Sequence, residues 1–186
     1  MAQGRPAIPA DLERALMVEA GHRCAIPTCR AVEPLQIEHI VDWAENKEHE
    51  FENMIVLCSS CHDRKVKAAN PRKLDRKALQ QYKANLRLVN NKYGGIEQHI
   101  LEYFALNPSD ASIQLAYGQK FMITYLLRDG LLEPVEATGD LVVGDPSNPE
   151  LRVLQSYGLS ESGREFVEKW INARPLPGGD AVEDGK

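Results

Sequence analysis

Several features that would place this protein in a membrane or outside the cell are missing from its sequence. No apolar run approaches the roughly 18 residues that a membrane-spanning helix needs. Residues 1–21 contain no apolar core followed by a small-residue cleavage site. Cysteine is scarce too, with four in 186 residues. The sequence therefore predicts a cytoplasmic protein with no membrane partner, in which reduced cysteines are more suited to binding metal than to cross-linking.

Acidic and basic residues are unevenly distributed behind the formal net charge of −5. Residues 1–95 carry 15 Lys and Arg against 12 Asp and Glu, whereas residues 96–186 carry 7 against 15. Within residues 64–92 there are ten basic residues, and Asp75 is the single acidic one. This pattern predicts nucleic-acid contact by the first half and argues against it for the second.

Two short clusters of helix-breaking residues suggest how the chain is divided. Asn90, Asn91, Gly94 and Gly95 follow a long helical pattern and would end it. We expect an N-terminal domain with flanking helices over residues 1–93 and a second domain over residues 96–174. The segment 175–186 is rich in Pro, Gly and acidic residues, which predicts a disordered tail.

Hydrophobic periodicity and turn residues predict an α+β protein. In the first half they indicate a helix over 8–21, strands over 34–41 and 54–57 joined by a polar loop, and helices over about 59–69 and 72–93. In the second half they indicate helices over 96–106, 111–118 and 119–130, strands over 131–138 and 151–159, and a last helix over 160–173. The two strands flank the turn-rich segment 144–150 and predict a two-stranded hairpin.

The four cysteines form two closely spaced pairs, Cys24-x4-Cys29 and Cys58-x2-Cys61, with 28 residues between them. This spacing is typical of a tetrahedral zinc site with four thiolate ligands. The alternative is four buried, reduced cysteines without metal. A four-thiolate site is closed, so it would contribute folding energy and leave no open position for chemistry.

A second group of polar residues is predicted to converge near the two strands. Glu38 and His39 end the first strand, Asn53 precedes the second, and His62 lies in the first turn of the following helix. Because consecutive helical residues point about 100° apart, His62 can serve a different site from its neighbour Cys61. The other histidines, His22, His49 and His99, have no such context and are expected to be solvated.

Glu38-His39-Ile40, Asn53 and Cys58-x2-Cys61-His62 together resemble the HNH endonuclease motif in its zinc-knuckle form. The resemblance covers about residues 8–70 and implies a ββα-metal, treble-clef-like fold with a structural zinc. It implies that His39 activates a water, that Glu38 and His62 hold magnesium or another divalent cation, and that Asn53 orients His39 or joins the metal shell. Many members of the family carry Asp where this sequence has Glu38.

The resemblance implies a metal-dependent endonuclease that hydrolyses DNA phosphodiesters, in a setting such as restriction of foreign DNA. The alternative is a non-catalytic, zinc-stabilised DNA-binding or adaptor protein. Five basic residues near His62 are expected to contact phosphates, although they could also form a solvated helix face. These residues are Arg64, Lys65, Lys67, Arg72 and Lys73.

The second half resembles a winged-helix domain through "FMITYLLRDGLLEPV", the predicted hairpin and "LSESGREF". Winged helices often place a basic helix in the major groove of DNA. Residues 119–130 contain only Lys120 and Arg128 as basic residues, in an acidic half of the chain. We therefore expect this domain to contact a protein partner or a second copy of the chain rather than to read DNA.

Overall fold

The computed structural model of the chain describes residues 5–66, 73–136 and 154–179. The helices in these ranges are α1 (Ala10–Glu19), α2 (Trp43–Asn46), α3 (Ser59–Val66), α4 (Arg76–Lys92), α5 (Gly95–Leu106), α6 (Thr124–Arg128) and α7 (Glu161–Ile171). The strands are β1 (Leu35–His39), β2 (Met54–Cys58), β3 (Ile113–Ala116), β4 (Leu132–Val135) and β5 (Leu154–Leu159). The chain forms two compact units, one made of Met1–Asn90 with Trp170–Lys186 and the other of Asn91–Lys169.

Parts of several predictions lie outside the described residues. They are the end of the helix predicted to reach residue 69, the first residue of the helix predicted over 72–93, residues 137–138 and 151–153 of the two predicted strands, the turn-rich segment 144–150, and residues 180–186 of the predicted tail. The mixed helix and strand content confirms the α+β prediction.

The first unit is organised around the antiparallel pair of β1 and β2, which runs in register from Leu35 opposite Cys58 to His39 opposite Met54. All five residues of β2 are buried. Because side chains alternate across a strand, Met54 and Val56 pack with α1, while Ile55 and Leu57 pack with the cysteines and α4. The apolar run of β2 therefore serves two small cores, one on each face.

The end of α1 is formed as the sequence predicts, at Gly21. The backbone of Gly21 has φ of +64°, in the left-handed region that glycine adopts without a steric penalty. This turn lets the Gly21 N–H donate to the carbonyl of Val18 at 3.0 Å and the His22 N–H donate to that of Met17 at 2.8 Å. These bonds satisfy helix-terminal carbonyls and direct the chain toward Cys24.

The segment predicted as a polar loop between the first two strands is more ordered than expected. It contains α2 and a 3-10 helix over Phe51–Asn53. The carbonyl of Asp42 accepts the backbone N–H of Glu45 at 2.9 Å, which starts the turn of α2. Short helices fold the segment back toward β1, an outcome that local residue preferences alone did not indicate.

The second unit contains a three-stranded antiparallel sheet in the order β3-β5-β4. The helix predicted over 111–118 is wrong, because Ile113–Ala116 forms strand β3 and pairs with Leu154–Tyr157. The predicted pairing of β4 with β5 is present and antiparallel, but β3 makes the sheet three-stranded. The helix predicted over 119–130 is divided into a 3-10 helix, Tyr117–Ile123, and α6. Strand pairing across more than 35 residues outweighed the local helical pattern.

Glu97 ties the first helix of this second unit to α6. One carboxylate oxygen accepts the backbone N–H groups of Tyr125 and Leu126 at 2.8 and 3.2 Å, and the other accepts that of Gly94 at 3.0 Å. The residue is buried. A carboxylate that accepts N–H groups at two helix N-termini satisfies donors with no partner in their own helix and complements both dipoles.

A buried ion pair between α1 and α4 carries a stability prediction. The Nζ atom of Lys83 lies 2.5 Å from Glu19 Oε2, and the two side chains are only 3% and 12% exposed. Burial lowers the pKa of Lys83 and raises that of Glu19, so each group depends on the other to stay charged. Replacing Lys83 with Ala leaves Glu19 uncompensated and is expected to lower the free energy of unfolding by about 3–5 kcal/mol in urea denaturation.

Arg87→Ala is the matched control for this measurement. Arg87 lies on the same helix and pairs with Glu52 at 3.2 Å, but both side chains are about two-thirds exposed, at 64% and 66%. Exposed pairs of this kind contribute up to about 1 kcal/mol. Equal losses in the two variants would contradict the argument from burial.

No helix in the described ranges is long and apolar enough to cross a membrane.

Candidate metal centre and active site

The structure brings the two cysteine pairs together at one point. Cys24 and Cys29 lie in the loop after α1, Cys58 ends β2, and Cys61 lies in the first turn of α3. All four are free thiols, and their Sγ atoms lie within 4.8 Å of one another. In a tetrahedral site with Zn–S bonds of about 2.3 Å, the sulfur atoms would be about 3.8 Å apart. The cluster could therefore hold zinc with little movement of its ligands.

Backbone hydrogen bonds hold the first pair in place. The N–H of Cys24 donates to Ala31 O at 2.8 Å, and that of Cys29 donates to Ile26 O at 2.9 Å. The second pair is held by the junction of β2 and α3, which are continuous at Cys58 and Ser59. The loop that carries Cys24 and Cys29 and the junction of β2 and α3 are both local structures. Ile26 of the loop and Leu57 of β2 belong to one hydrophobic cluster, which holds the two structures together.

The thiols influence one another's ionisation strongly. A hydrogen bond from Cys61 lowers the pKa of Cys24 to about 5, although burial opposes that change. The same interaction and burial raise the pKa of Cys61, and burial raises that of Cys29. Ionisation of Cys24 therefore makes ionisation of Cys29 and Cys61 less favourable. A divalent cation would stabilise all four thiolates together, which is the chemistry that this donor set suits.

Glu38, on β1, and His62, on α3, contact each other. The Nε2 atom of His62 lies 3.2 Å from Glu38 Oε1. Two adjacent ligands of an octahedral ion at about 2.1 Å would be about 3 Å apart, so this oxygen and nitrogen are placed to share one divalent cation. Both were predicted as ligands of the second metal, and the structure places them in contact.

Lys65 occupies the same neighbourhood. Its Nζ atom lies 3.7 Å from Glu38 Oε2 and 3.0 Å from Asp42 Oδ1. Its hydrogen bond is the main cause that lowers the pKa of Asp42. Lys65 was predicted to contact phosphate, and in the structure its charge is balanced by two carboxylates of its own chain.

Asn53 anchors the chain just after β1. Its Oδ1 atom accepts the Val41 N–H at 2.7 Å, and its Nδ2 atom donates to the Val41 carbonyl at 3.1 Å. The backbone carbonyl of Asn53 accepts the Ile40 N–H at 2.7 Å. Of the two roles considered for this residue, these contacts match the orientation of the chain next to His39. Both polar atoms of the Asn53 side chain, Oδ1 and Nδ2, form hydrogen bonds with the Val41 backbone.

His39 is buried, with 3% of its surface exposed. Burial lowers its pKa below the ordinary value of 6.5, the positive charge of Arg5 acts in the same direction, and the Glu48 backbone opposes it. A lowered pKa keeps the imidazole neutral at pH 7, the state that a general base requires. Its Nδ1 atom is buried and makes no hydrogen bond within the described residues.

The residue that sequence reasoning missed is His49. Expected to be solvated, it is half-buried, and its Nδ1 atom lies 3.1 Å from His39 Nε2. Its ring also packs on Trp43, with centroids 4.7 Å apart. His22 and His99 are exposed, as expected. The available signal was an aromatic residue and a histidine within an otherwise polar segment, a combination that suggests packing.

The predicted phosphate-contacting residues are only partly described. Lys67 and Arg72 lie outside the described ranges. Lys73 is exposed and, with Lys65 and Arg76, lines a pocket of about 200 Å³ whose acidic members are Asp42 and Asp75. Arg64 is half-buried and donates to Cys61 Sγ at 3.8 Å, so it adjoins the cysteine cluster.

The comparisons with known proteins agree with this arrangement. Residues 22–67 match the family model of the HNH endonuclease. No curated protein and no solved structure matches the chain. The matched segment contains the four cysteines and the candidate residues Glu38, His39, Asn53 and His62. The chain therefore carries an HNH endonuclease domain over residues 22–67, a family whose members generally hydrolyse nucleic acids.

Proposed function

We propose that this protein is a metal-dependent endonuclease that hydrolyses DNA phosphodiester bonds. The contact between His62 Nε2 and Glu38 Oε1 at 3.2 Å, beside His39 and within the HNH segment, carries the proposal. Cleavage of a phosphodiester builds negative charge on the phosphate and on the departing oxygen. A cation held by one oxygen and one nitrogen ligand keeps several positions open for water and phosphate.

Each residue of the site has a defined part in this proposal. His39, neutral at pH 7, accepts the proton of the attacking water at a ring nitrogen. Glu38 and His62 hold magnesium or another divalent cation, which supplies Lewis acidity toward the phosphate. Asn53 keeps the chain after β1 in place through its two bonds to Val41. Cys24, Cys29, Cys58 and Cys61 hold a structural zinc.

The basic residues near the site supply the contacts with DNA in this proposal. Lys73 is exposed, so a phosphate can approach its ammonium group directly. Lys65 would exchange its Asp42 partner for a phosphate when DNA binds. Arg64, Lys67 and Arg72 extend the basic stretch that begins after His62. Phosphate contacts of this kind release counterions, so affinity for DNA should fall steeply as salt rises.

The test is conversion of supercoiled plasmid to nicked and linear forms. We expect cutting with magnesium or manganese, none with EDTA, and a loss of at least about a hundredfold in rate for Glu38→Gln, because the amide is a weaker metal ligand than the carboxylate. Glu52→Gln, an exposed residue of the same unit, is the control. Full activity in Glu38→Gln would contradict this assignment of the metal ligand.

A non-catalytic, zinc-stabilised DNA-binding or adaptor protein is the second candidate function. Two observations favour it: the ammonium of Lys65 lies 3.7 Å from Glu38, and His39 is almost fully buried. DNA retained in a gel-shift experiment without cutting under any metal would favour this function over the nuclease.

The proposal extends to the second unit and to the cellular setting. The antiparallel sheet β3-β5-β4 with its flanking helices supports a winged-helix-like unit. Phe121 is 72% exposed and Tyr125 47%, which supports a protein partner or a homodimer through this unit.

A cytoplasmic setting suits the free thiols. Restriction of foreign DNA is the biological role we infer, and a phage challenge without protection would count against it.

A further inference from the structure

His49 lies between His39 and the N-terminal segment and bonds to both. Its Nδ1 atom is 3.1 Å from His39 Nε2, and its Nε2 atom is 3.1 Å from the carbonyl oxygen of Pro6. The rings of His39 and His49 are tilted by 32° with centroids 5.1 Å apart, and Trp43 packs on the His49 ring. The position of His49 is therefore fixed by two hydrogen bonds and an aromatic contact.

These bonds determine where the hydrogens of the two rings lie. The Pro6 carbonyl can only accept, so the Nε2 atom of His49 carries a hydrogen. A neutral imidazole has a single N–H, which leaves His49 Nδ1 as an acceptor. The Nε2 atom of His39 must then donate to it. The nitrogen of His39 that keeps its lone pair is consequently Nδ1, the atom that makes no bond to any described residue.

We propose that His49 is a positioning residue for His39. It selects the tautomer in which Nδ1 is the basic nitrogen, and it fixes the orientation of the ring. The inference rests on the proposed nuclease function for its effect on rate, but the hydrogen-bond arrangement itself can be observed without any reaction. His49 acts through His39, because its contacts are with His39, Pro6 and Trp43 and not with Glu38 or His62.

The opposite arrangement of hydrogens makes a different prediction. The Glu48 backbone opposes the lowering of the His39 pKa by burial, but Nδ1 makes no hydrogen bond with that backbone. If His39 nevertheless carries its hydrogen on Nδ1, its Nε2 atom must accept from His49. His49 would then donate from both nitrogens and would be an imidazolium. An imidazolium there would add a positive charge near Arg5, whose guanidinium lies 5.9 Å from the ring centroid of Trp43, on which His49 packs. The arrangement with one hydrogen on each ring needs no added charge, and it is the one that we assign.

Two substitutions separate the hydrogen bond from the packing. His49→Phe keeps a ring against Trp43 but removes the acceptor, whereas His49→Asn loses the ring but retains an acceptor oxygen near the position of Nδ1. We expect His49→Phe to lower kcat for plasmid nicking by about 10–100-fold with KM for DNA unchanged, as for other residues that orient a functional imidazole. His49→Asn should recover most of that loss.

The spectroscopic readout is a long-range ¹⁵N–¹H correlation spectrum of the histidine rings in the intact, zinc-loaded protein. Wild-type protein should show His39 with its hydrogen on Nε2, and His49→Phe should show mixed tautomers. His22→Ala and His99→Ala, which remove exposed histidines, should leave both the His39 signals and kcat unchanged. Thermal melting of each variant shows that it is folded.

Each outcome decides a separate point. His39 with its hydrogen on Nδ1 in the wild type, or His39 signals identical in wild type and His49→Phe, would overturn the inference. A His49→Phe enzyme that nicks at the wild-type rate would also overturn it. A wild type that cuts no DNA under any metal rejects the proposed function alone, because the spectra still decide whether His49 sets the tautomer of His39.

Discussion

Replacing His39 with Ala should lower the rate of plasmid nicking by about 10²–10⁴-fold, the usual contribution of a general base. The affinity for DNA should be unchanged, because the basic residues that would contact phosphate lie elsewhere on α3 and before α4. Single-turnover cleavage and fluorescence anisotropy, measured on the same preparation, give the two quantities. Retention of the cutting rate would remove His39 from the mechanism.

The pH dependence of the wild-type enzyme offers a second view of the same residue. Burial and the charge of Arg5 lower the pKa of His39 below 6.5. Because its pKa lies below 6.5, the imidazole is still mostly neutral at pH 6.5. Activity that depends on the neutral form should therefore persist as the pH falls to that value. Activity should fall as the pH drops through the lowered pKa, when the ring becomes charged. A decline that already begins above pH 7 would contradict this expectation.

A control is needed because His39 is buried. Alanine leaves a cavity there, and the loss of contacts can lower stability as well as activity. His39→Asn removes the imidazole with a smaller change in volume. If both variants melt well above the assay temperature and both lose cutting, the loss belongs to the chemistry.

Removing zinc should unfold the first unit. Four thiolates at one point repel one another unless a cation balances their charge, and the pKa of Cys24 is lowered while that of Cys61 is raised. Structural zinc sites bind with apparent free energies of about 10–16 kcal/mol, comparable to or larger than the total stability of about 5–15 kcal/mol of a typical domain. Cys61→Ser, or wild type treated with a strong chelator, is therefore expected to lose most of its helical circular dichroism from this unit.

Zinc content by mass spectrometry and thermal melting test this prediction together. Wild type should hold one zinc per chain, and Cys61→Ser should hold much less than one. Ser59→Ala changes a neighbouring residue of the same helix outside the cluster and should behave like wild type. A chelated protein that is free of zinc but melts at the wild-type temperature would show that hydrophobic packing around Ile26 and Leu57 is sufficient.

Spacing along the chain was enough to predict the elements that are held by local interactions. Helix α1 ends at Glu19, and the left-handed Gly21 two residues later turns the chain away from it. The cysteine pairs lie on a loop and at a strand–helix junction, which are local structures. The adjacency of Cys61 and His62 on a helix indicated two separate sites, and His62 does contact Glu38.

Non-local pairing explains what the sequence could not indicate. Residues 113–116 have an ambiguous local pattern, and their strand exists because β5 lies alongside, about 40 positions later in the chain. The sequence pattern predicts Lys65 as a surface cation, yet it pairs with Asp42. Asp42 precedes β2 in the chain, whereas Lys65 follows it on α3. Such contacts depend on the folded path of the backbone rather than on the preference of any short segment.

By itself, the sequence determined which chemical groups this protein possesses and in what order: four thiols in two pairs, a carboxylate beside a histidine, an amide, and a second histidine. Only the tertiary structure decided which atoms meet. It placed His49 against His39, gave Lys65 two carboxylate partners, and enclosed His39. Residue types and helix or strand periodicity are local properties, whereas a hydrogen bond of 3.1 Å between residues ten positions apart requires the whole unit to fold.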